Sequence, residues 1–497
     1  MAVHGRFTDC DLGNVIPLSM PWQENDGILR PDYSQSAMKL SLELAAAAYD
    51  LEIAPWREAG WYDFSYQVDN TLLTGYVVNG GGKSDSISNY FRNLAHSRIR
   101  RQNPISQIRG ALRQREAGDT CKALIMMHKA PGNGYILAIG FMGTGRRIFD
   151  WISNLRLEEE EGVHKGFLQL THEFEENIEK IQFPRTAKEL GREQLTLADI
   201  LNRCRKPGSP FRIWIAGHSQ GGAIMQLMAL REIRKGLLRQ NLIGYGFASP
   251  SVIYENPGVD LAGFPLFHVI NGDDITPRLG AALHVGQCMV YFPDDAMREM
   301  CYGAAWQNMA FRQILRENAE IRDNRMAMIW IKAFCEALHD LPDDQSVAIL
   351  SGMLGKMMPE RLIALLGGKM DDLLGYCSRR AEQSYVLATG EKKMPDGFAE
   401  MYRFRIRHTI DTLGARNFVK ILLQTFVFPH KLRGNVTEGK MASYQYIVNY
   451  RFHLLHKRIW CYPAPFGSSF QYGKRYVVKK SRYARFSSLK KIDCTVK

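Results

Sequence analysis

Apolar and polar positions alternate with two distinct periods along the first 300 residues. Residues 36–50, SAMKLSLELAAAAYD, have a helix-favouring composition and a serine placed to cap, and predict an opening helix after an irregular start. Two apolar runs, 124–128 and 135–141, flank the turn sequence APGNG and predict a β-hairpin. Residues 167–181 place Phe167, Leu168, Leu170, Phe174 and Ile178 at helical spacing. Next come a short apolar strand, PFRIWIAG, a helix, SQGGAIMQLMALREIRKG, and two more apolar strands, NLIGYGFASP and FPLFHVING. Strand, helix and strand in that order predict a parallel right-handed unit, and hence an α/β sheet with helices on both faces.

From about residue 295 the pattern becomes helical, in AMREMCYGAAWQNMAFRQILREN, RMAMIWIKAFCEALHD and SVAILSGMLGKMMPERLIALLGG. Residues 297–401 hold eleven of the 21 methionines. Methionine makes adaptable apolar surfaces, which suits a lid, but the plainer expectation is the core of a helical subdomain. The expected organisation is an irregular segment 1–35, an α/β core 36–295, a helical insertion or cap 296–400, a C-terminal part of the core 401–470 and a basic tail 471–497.

Composition narrows the classes. With 497 residues, 45% of them hydrophobic, the chain can fill two or three domains or one large α/β domain with insertions. Asp9 and Asp11 stand where an export signal needs an apolar stretch. The uncharged run 213–230 contains His218, Ser219, Gln220, Gln226 and three glycines, which a lipid-exposed helix buries only at a cost. Neither a signal peptide nor a transmembrane segment is expected, and the expected location is cytoplasmic or membrane-peripheral, with specialised secretion still compatible. The nine cysteines are scattered without C-x-x-C spacing and read as reduced thiols.

The net charge of +13 is unevenly spread. Seven arginines and no acid lie between Phe91 and Arg115, and nine Lys or Arg against Asp493 alone lie from Gln471 to Lys497. Such runs are usually solvated faces or tails; they also suit peripheral contact with an anionic membrane, with nucleic acid the less favoured partner.

Candidate chemistry centres on Gly217-His218-Ser219-Gln220-Gly221-Gly222. A serine hydroxyl needs an adjacent base and must project free of the sheet, which a sharp strand-to-helix turn provides. The strained turn leaves little room two residues to either side, which accounts for Gly217 and Gly221, and Gly222 and Ala223 let the helix sit close to the sheet. A G-x-S-x-G pattern alone is weak evidence, but here a strand precedes it and a helix follows.

GHSQGGA resembles the nucleophile elbow of the class 3 lipase family, α/β-hydrolases acting on acylglycerols and phospholipids. LAIGFMGTG resembles the family's strand and oxyanion loop, and DWISNL, VHKGF, GYGFASPSV and HVINGDDITPRLG resemble further segments in the family's order, over roughly residues 120–295. The resemblance implies an α/β-hydrolase fold, a mostly parallel central sheet flanked by helices, here with a large helical insertion. It implies a serine carboxylester hydrolase, triacylglycerol lipase or phospholipase A, with Ser219 as nucleophile. The acid is Asp273 or Asp274, of which Asp274-Ile275-Thr276-Pro277 fits the family's register and Asp273 reads as a surface residue of the same loop. The base is expected at His408 in RFRIRHTIDTL, with His339 and His430 as alternatives, and His284 reads as a structural histidine. Oxyanion donors are the backbone N–H of Gln220 and of Thr144, whose hydroxyl adds a third. Met142 replaces the family's usual arginine and removes a charge that braces the loop. His218 and His164 are expected to pack or line the pocket.

No cofactor or metal is expected, because the mechanism needs none and no His or carboxylate cluster at ligand spacing is present. The rival readings are an acyltransferase or thioesterase on the same triad, and a non-catalytic relic hydrolase that binds membrane or nucleic acid.

Overall fold

The computed structural model describes residues 22–73, 121–143 and 159–312, with short gaps, and strands at 459–464 and 492–494. They fall into two units, one comprising residues 1–145, 167–249 and 262–268, the other 146–166, 250–261 and 269–497.

The first unit starts with a small antiparallel hairpin, β1 (Trp22–Asn25) and β2 (Ile28–Pro31). Helix α1 (Gln35–Asp50) follows and begins one residue earlier than its pattern predicts, so Ser36 lies inside the helix instead of capping it. Helix boundaries are the least legible part of a sequence pattern. A short helix, α2 (Ala54–Glu58), leads into β3 (Tyr62–Val68) and β4 (Thr71–Leu73), which pair antiparallel.

The predicted hairpin forms as β5 (Ala123–Lys129) and β6 (Tyr135–Phe141), in register from Ala123↔Phe141 to Lys129↔Tyr135. Two short strands, β7 (Glu159–Glu160) and β8 (Val163–His164), belong to the second unit. Three helices follow β8: α3 (Lys165–Glu175), α4 (Pro184–Glu189) and α5 (Leu197–Cys204). The periodic stretch 167–181 is helical only to Glu175, after which Asn177 N and Ile178 N bond to carbonyls three residues back, at 3.1 and 3.3 Å. Tightening of this kind ends a helix. Strand β9 (Phe211–His218) then pairs parallel with β6, and β10 (Leu242–Phe247) pairs parallel with β9. The sheet order in this unit is β10-β9-β6-β5-β3-β4, with a parallel centre and antiparallel strands on the β5 side. Helix α6 (Gln220–Arg234) joins β9 to β10, as the strand-helix-strand pattern predicts.

Period-2 alternation assigns the sheet faces. Trp214 Nε1 donates to Ser41 Oγ at 2.8 Å, so this side of β9 faces α1. The opposite side faces α6, because a Cβ on Gly244, in register with Ile215, would lie 2.9 Å from Ile215 and 3.3 Å from Met225 Sδ. Helices thus cover both faces, and Ile213, Trp214, Ile215 and Ala216 are all buried.

In the second unit, segments around residues 163, 253 and 283 knit together by the bridges Val163↔Ile253 and Ile253↔Leu283. Strand β11 (Leu266–Asn271) leads out of the first unit into the second. There β12 (Gln287–Tyr291) pairs antiparallel with β13 (Ile459–Ala464), and β13 with β14 (Ile492–Cys494), a strand within the basic tail. The helical run predicted over 296–318 is broken. Helix α7 (Asp295–Tyr302) gives way at Gly303 to a 3₁₀ turn, and Asn308 Oδ1 then caps a new turn by accepting from Ala310 N and Phe311 N at 2.9 and 3.2 Å. Glycine ends the helix and asparagine restarts it. The segment 313–400, the basic run 91–115 and DWISNL lie outside the described residues. Cys121, Cys204 and Cys288 are buried and in no disulfide, with the Cys204 thiol pushed up to about 11 by its burial. Among the described residues no helix is long and apolar enough to cross a membrane.

One buried titratable group of the first unit gives a pH dependence. His128, on β5, lies with its ring 5.0 Å from that of Trp61, and its Nδ1 is buried without a partner. Burial holds its pKa below the ordinary 6.5, only partly opposed by a hydrogen bond with the Ala59 carbonyl. Between the folded and the ordinary pKa the unfolded chain therefore binds more protons. The stabilisation is complete above about pH 6.5 and is lost as pH falls toward the folded pKa. His128→Gln is expected to remove this segment of the curve. Thermal unfolding of both proteins from pH 8 to 5 checks it, and parallel profiles count against the assignment.

Candidate active site

Strand β9 ends at His218, and the next residue, Ser219, has φ 56° and ψ −129° before α6 starts at Gln220. A left-handed φ at a residue with a Cβ costs about 1–3 kcal/mol and persists only where surrounding structure demands it. Here Ser219 N donates to the Phe247 carbonyl at 2.8 Å, and the Ser219 carbonyl accepts from Gly222 N and Ala223 N at 2.9 and 3.3 Å. The helix thus begins directly at the serine and places the positive end of its dipole there. The two flanking glycines are required by close approach. A Cβ on Gly217 would lie 2.7 Å from Gly222 N, and one on Gly221 would meet the Phe141 carbonyl oxygen and lie 2.8 Å from the Met142 carbonyl carbon.

That contact brings the end of β6 against the elbow. Met142 N still donates to the Lys122 carbonyl at 2.9 Å, so the chain leaves the sheet only after this residue. Gly143 then lies beside Ser219: a Cβ there would be 3.1 Å from Ser219 Cβ and would fall on Tyr49 OH and the His218 carbonyl. Tyr49, near the C-terminus of α1, also reaches His218, with its OH 2.9 Å from Nδ1. The sequence pattern carried no signal for Tyr49, because nothing in SLELAAAAYD links that residue to a turn 170 residues later. Gln220 is buried at the first position of α6. Thr144, the other expected oxyanion donor, lies outside the described residues.

In the second unit, β11 ends in the turn Asn271-Gly272-Asp273-Asp274. Both carboxylates are buried. The expectation that Asp273 is a surface residue is corrected: it accepts from Arg298 Nε at 2.8 Å, Arg298 Nη2 at 2.6 Å and Tyr302 OH at 2.9 Å. Burial alone would lower the Arg298 pKa, but the Asp273 charge and hydrogen bonds raise it above its ordinary value, so the guanidinium stays protonated. Asp274 is held differently. Its N donates to the Asn271 carbonyl at 2.9 Å, and its Oδ1 accepts from Thr276 N at 2.9 Å. His284 and His164 are buried in this unit, and His164 N donates to the Val252 carbonyl at 2.9 Å. His408, His339 and His430 lie outside the described residues. Arg298 and Tyr302 escaped the sequence reading, since their spacing in AMREMCY reads simply as one face of a helix.

A strand that ends in a strained serine turn, a helix rising from that turn and a neighbouring strand-end loop against the serine define an α/β-hydrolase fold. Residues 140–283 match the family model Lipase (class 3). Among solved structures, the native propeptide complex of Rhizomucor miehei lipase is 24% identical, with 34% of this chain and 52% of that one covered and a TM-score of 0.26. A triacylglycerol lipase with a serine-protease triad as its catalytic centre is 24% identical over 35% of this chain and 63% of that one, with a TM-score of 0.26. The lipase from Rhizopus microsporus var. chinensis is 22% identical over 34% and 56%, with a TM-score of 0.25. The chain thus spans between 52% and 63% of the length of these lipases. Comparison with curated protein sequences finds no match.

The crowding at Gly143 is open to measurement. Gly143→Ala is expected to destabilise the protein by about 1–3 kcal/mol, the usual range for overpacking. Tyr49→Phe removes the hydroxyl that the new methyl would meet, so the double variant should be more stable than the sum of the two single losses. Urea denaturation of the four proteins measures the coupling, and strictly additive losses would place the clash elsewhere.

Proposed function

We propose that the protein is a serine carboxylester hydrolase acting on lipid acyl esters, as a triacylglycerol lipase or phospholipase A. The observation that carries this reading is the backbone of Ser219, held at φ 56° and ψ −129° at the head of α6 with Gly143 packed beside it. In this reading Ser219 Oγ attacks the acyl carbonyl while His408 takes its proton, and Asp274 fixes the imidazole tautomer and stabilises the imidazolium. The tetrahedral oxyanion accepts hydrogen bonds from the backbone N–H of Gln220 and of Thr144, each commonly worth about 10²- to 10³-fold in rate. His408 then protonates the departing alcohol, and water attacks the acyl-enzyme in the reverse sense to release the fatty acid. Two observations favour Asp274 over Asp273 as the acid: the family register, and the commitment of the Asp273 carboxylate to Arg298 and Tyr302. The basic runs 91–115 and 471–497 would add peripheral attraction to anionic membranes.

The test is a panel of acylglycerols and phospholipids, with fatty-acid release measured for wild type, Ser219→Ala and His408→Ala. Ser219→Ala is expected to lose roughly 10⁴- to 10⁶-fold in kcat and all labelling by a fluorophosphonate probe. Labelling that survives in Ser219→Ala would move the nucleophile elsewhere, whereas full activity in His408→Ala would move only the base. Product analysis with competing alcohols separates hydrolysis from acyl transfer.

A further inference from the structure

The turn that carries Asp274 is held in part through its neighbour. Three donors from α7 hold the Asp273 carboxylate, which is wholly buried. The backbone of the turn is tied as well: Gly272 N donates to the Tyr291 carbonyl at 2.7 Å and Asp273 N to Asn271 Oδ1 at 3.0 Å. Asp273 and Asp274 share one rigid peptide plane, so a rotation at the first residue is passed to the second. Their charges also interact. Two adjacent buried carboxylates repel, and a guanidinium paired with one of them reduces that repulsion.

Arg298 is itself oriented. Its Nη1 donates to Asp295 Oδ1 at 3.2 Å, and its guanidinium lies 5.6 Å from the Trp306 ring, which in turn neighbours Tyr302 at 6.0 Å. The planar fork therefore meets Asp273 through two nitrogens at once, a geometry that a lysine does not reproduce.

We propose that Arg298, together with Tyr302, is a positioning residue: acting through Asp273, it fixes the turn that presents Asp274 for catalysis and makes helix α7 a support of the catalytic acid. The inference rests on the reading of Asp274 as the acid of the triad. A displacement of about 1 Å in such a group is enough to cost on the order of 10²-fold in rate.

The experiment uses the full chain, hydrolysis of a soluble p-nitrophenyl ester, and the variants Arg298→Lys, Tyr302→Phe, Asp274→Asn and Ser219→Ala, together with Asp274→Asn combined with each of the first two. Arg298→Lys is expected to lower kcat about ten- to a hundredfold with KM changed less than about twofold, and Tyr302→Phe to lower it several-fold. In the Asp274→Asn background both losses should shrink to under about twofold, because no ionised acid remains to be positioned. Wild-type kcat in folded Arg298→Lys, or a loss that multiplies in full with that of Asp274→Asn, overturns the positioning role. Should Arg298→Lys fail to fold, Tyr302→Phe decides by the same two criteria. Wild-type activity in Asp274→Asn or Ser219→Ala is a different result and would overturn the triad reading itself. Impairment in those two with none in Arg298→Lys and Tyr302→Phe removes only the inference drawn here.

Discussion

The approach of α6 to the ends of β6 and β9 is the constraint on which the first unit's chemistry depends. Gly221 sits where any side chain would meet the Phe141 carbonyl, and Gly217 where any side chain would meet the start of the helix. Because both positions are bare, the chain can reverse from strand to helix in one residue, and the strain of that reversal falls on Ser219. A penalty of about 1–3 kcal/mol is small against what holds the helix down. Ile224, Met225, Leu227, Met228 and Leu230 are each buried to within 2% of full burial. At about 1.5–3 kcal/mol for each, an upper bound before conformational entropy, their burial exceeds the strain several-fold. The serine can therefore be held in an unfavourable backbone conformation without the turn relaxing.

The other face of the sheet contributes to the same place by a different route. Helix α1 is buried on nearly every side, and its contact with β9 contains a polar link, Trp214 Nε1 to Ser41 Oγ, with Ser41 in turn donating to the Ala37 carbonyl at 2.6 Å. Buried donors demand such partners, and satisfying them fixes the rotation of the helix against the strand. With that rotation fixed, Tyr49 near the helix's end is carried over the elbow to His218 and Gly143. Packing on one face of the sheet and strain on the other thus converge on the residues next to Ser219.

What was legible in the sequence follows the range of the interactions involved. The hairpin β5–β6, the strands β9 and β10 and helix α6 came from local periodicity and turn residues, and each stands where its pattern put it. The elbow was legible for the same reason, since Gly217, Gly221 and Gly222 mark it within a few residues, while its contacts with Phe141, Gly143 and Phe247 left no local signal. Where local signals were ambiguous the reading slipped: Ser36 lies inside its helix, the helix after Lys165 stops at Glu175, and the run after residue 295 breaks at Gly303. Long-range polar contacts left no trace in the pattern. Tyr49 and His218 are 169 residues apart, and Asp273 and Tyr302 are 29 apart; neither pair shares a period or a motif.

The two neighbouring carboxylates illustrate how environment separates residues that a sequence presents as equals. Asp273 and Asp274 are the same residue type, equally buried, on one turn. A carboxylate that accepts from a two-nitrogen guanidinium contact and a tyrosine hydroxyl has most of its lone pairs committed and its charge neutralised locally. Such a group stabilises but is poorly placed to exchange hydrogen bonds with an imidazole during a reaction cycle. Asp63, in the first unit, has the same character: its carboxylate accepts from Arg185 N, Thr186 N and Thr186 Oγ1 and serves to start α4. Asp274 has a different attachment, its Oδ1 accepting from the amide of Thr276. The acid of a serine hydrolase has to orient an imidazole and stabilise it as it becomes positive. The difference between the two carboxylates lies in their partners, with Arg298 and Tyr302 holding the first and the Thr276 amide meeting the second.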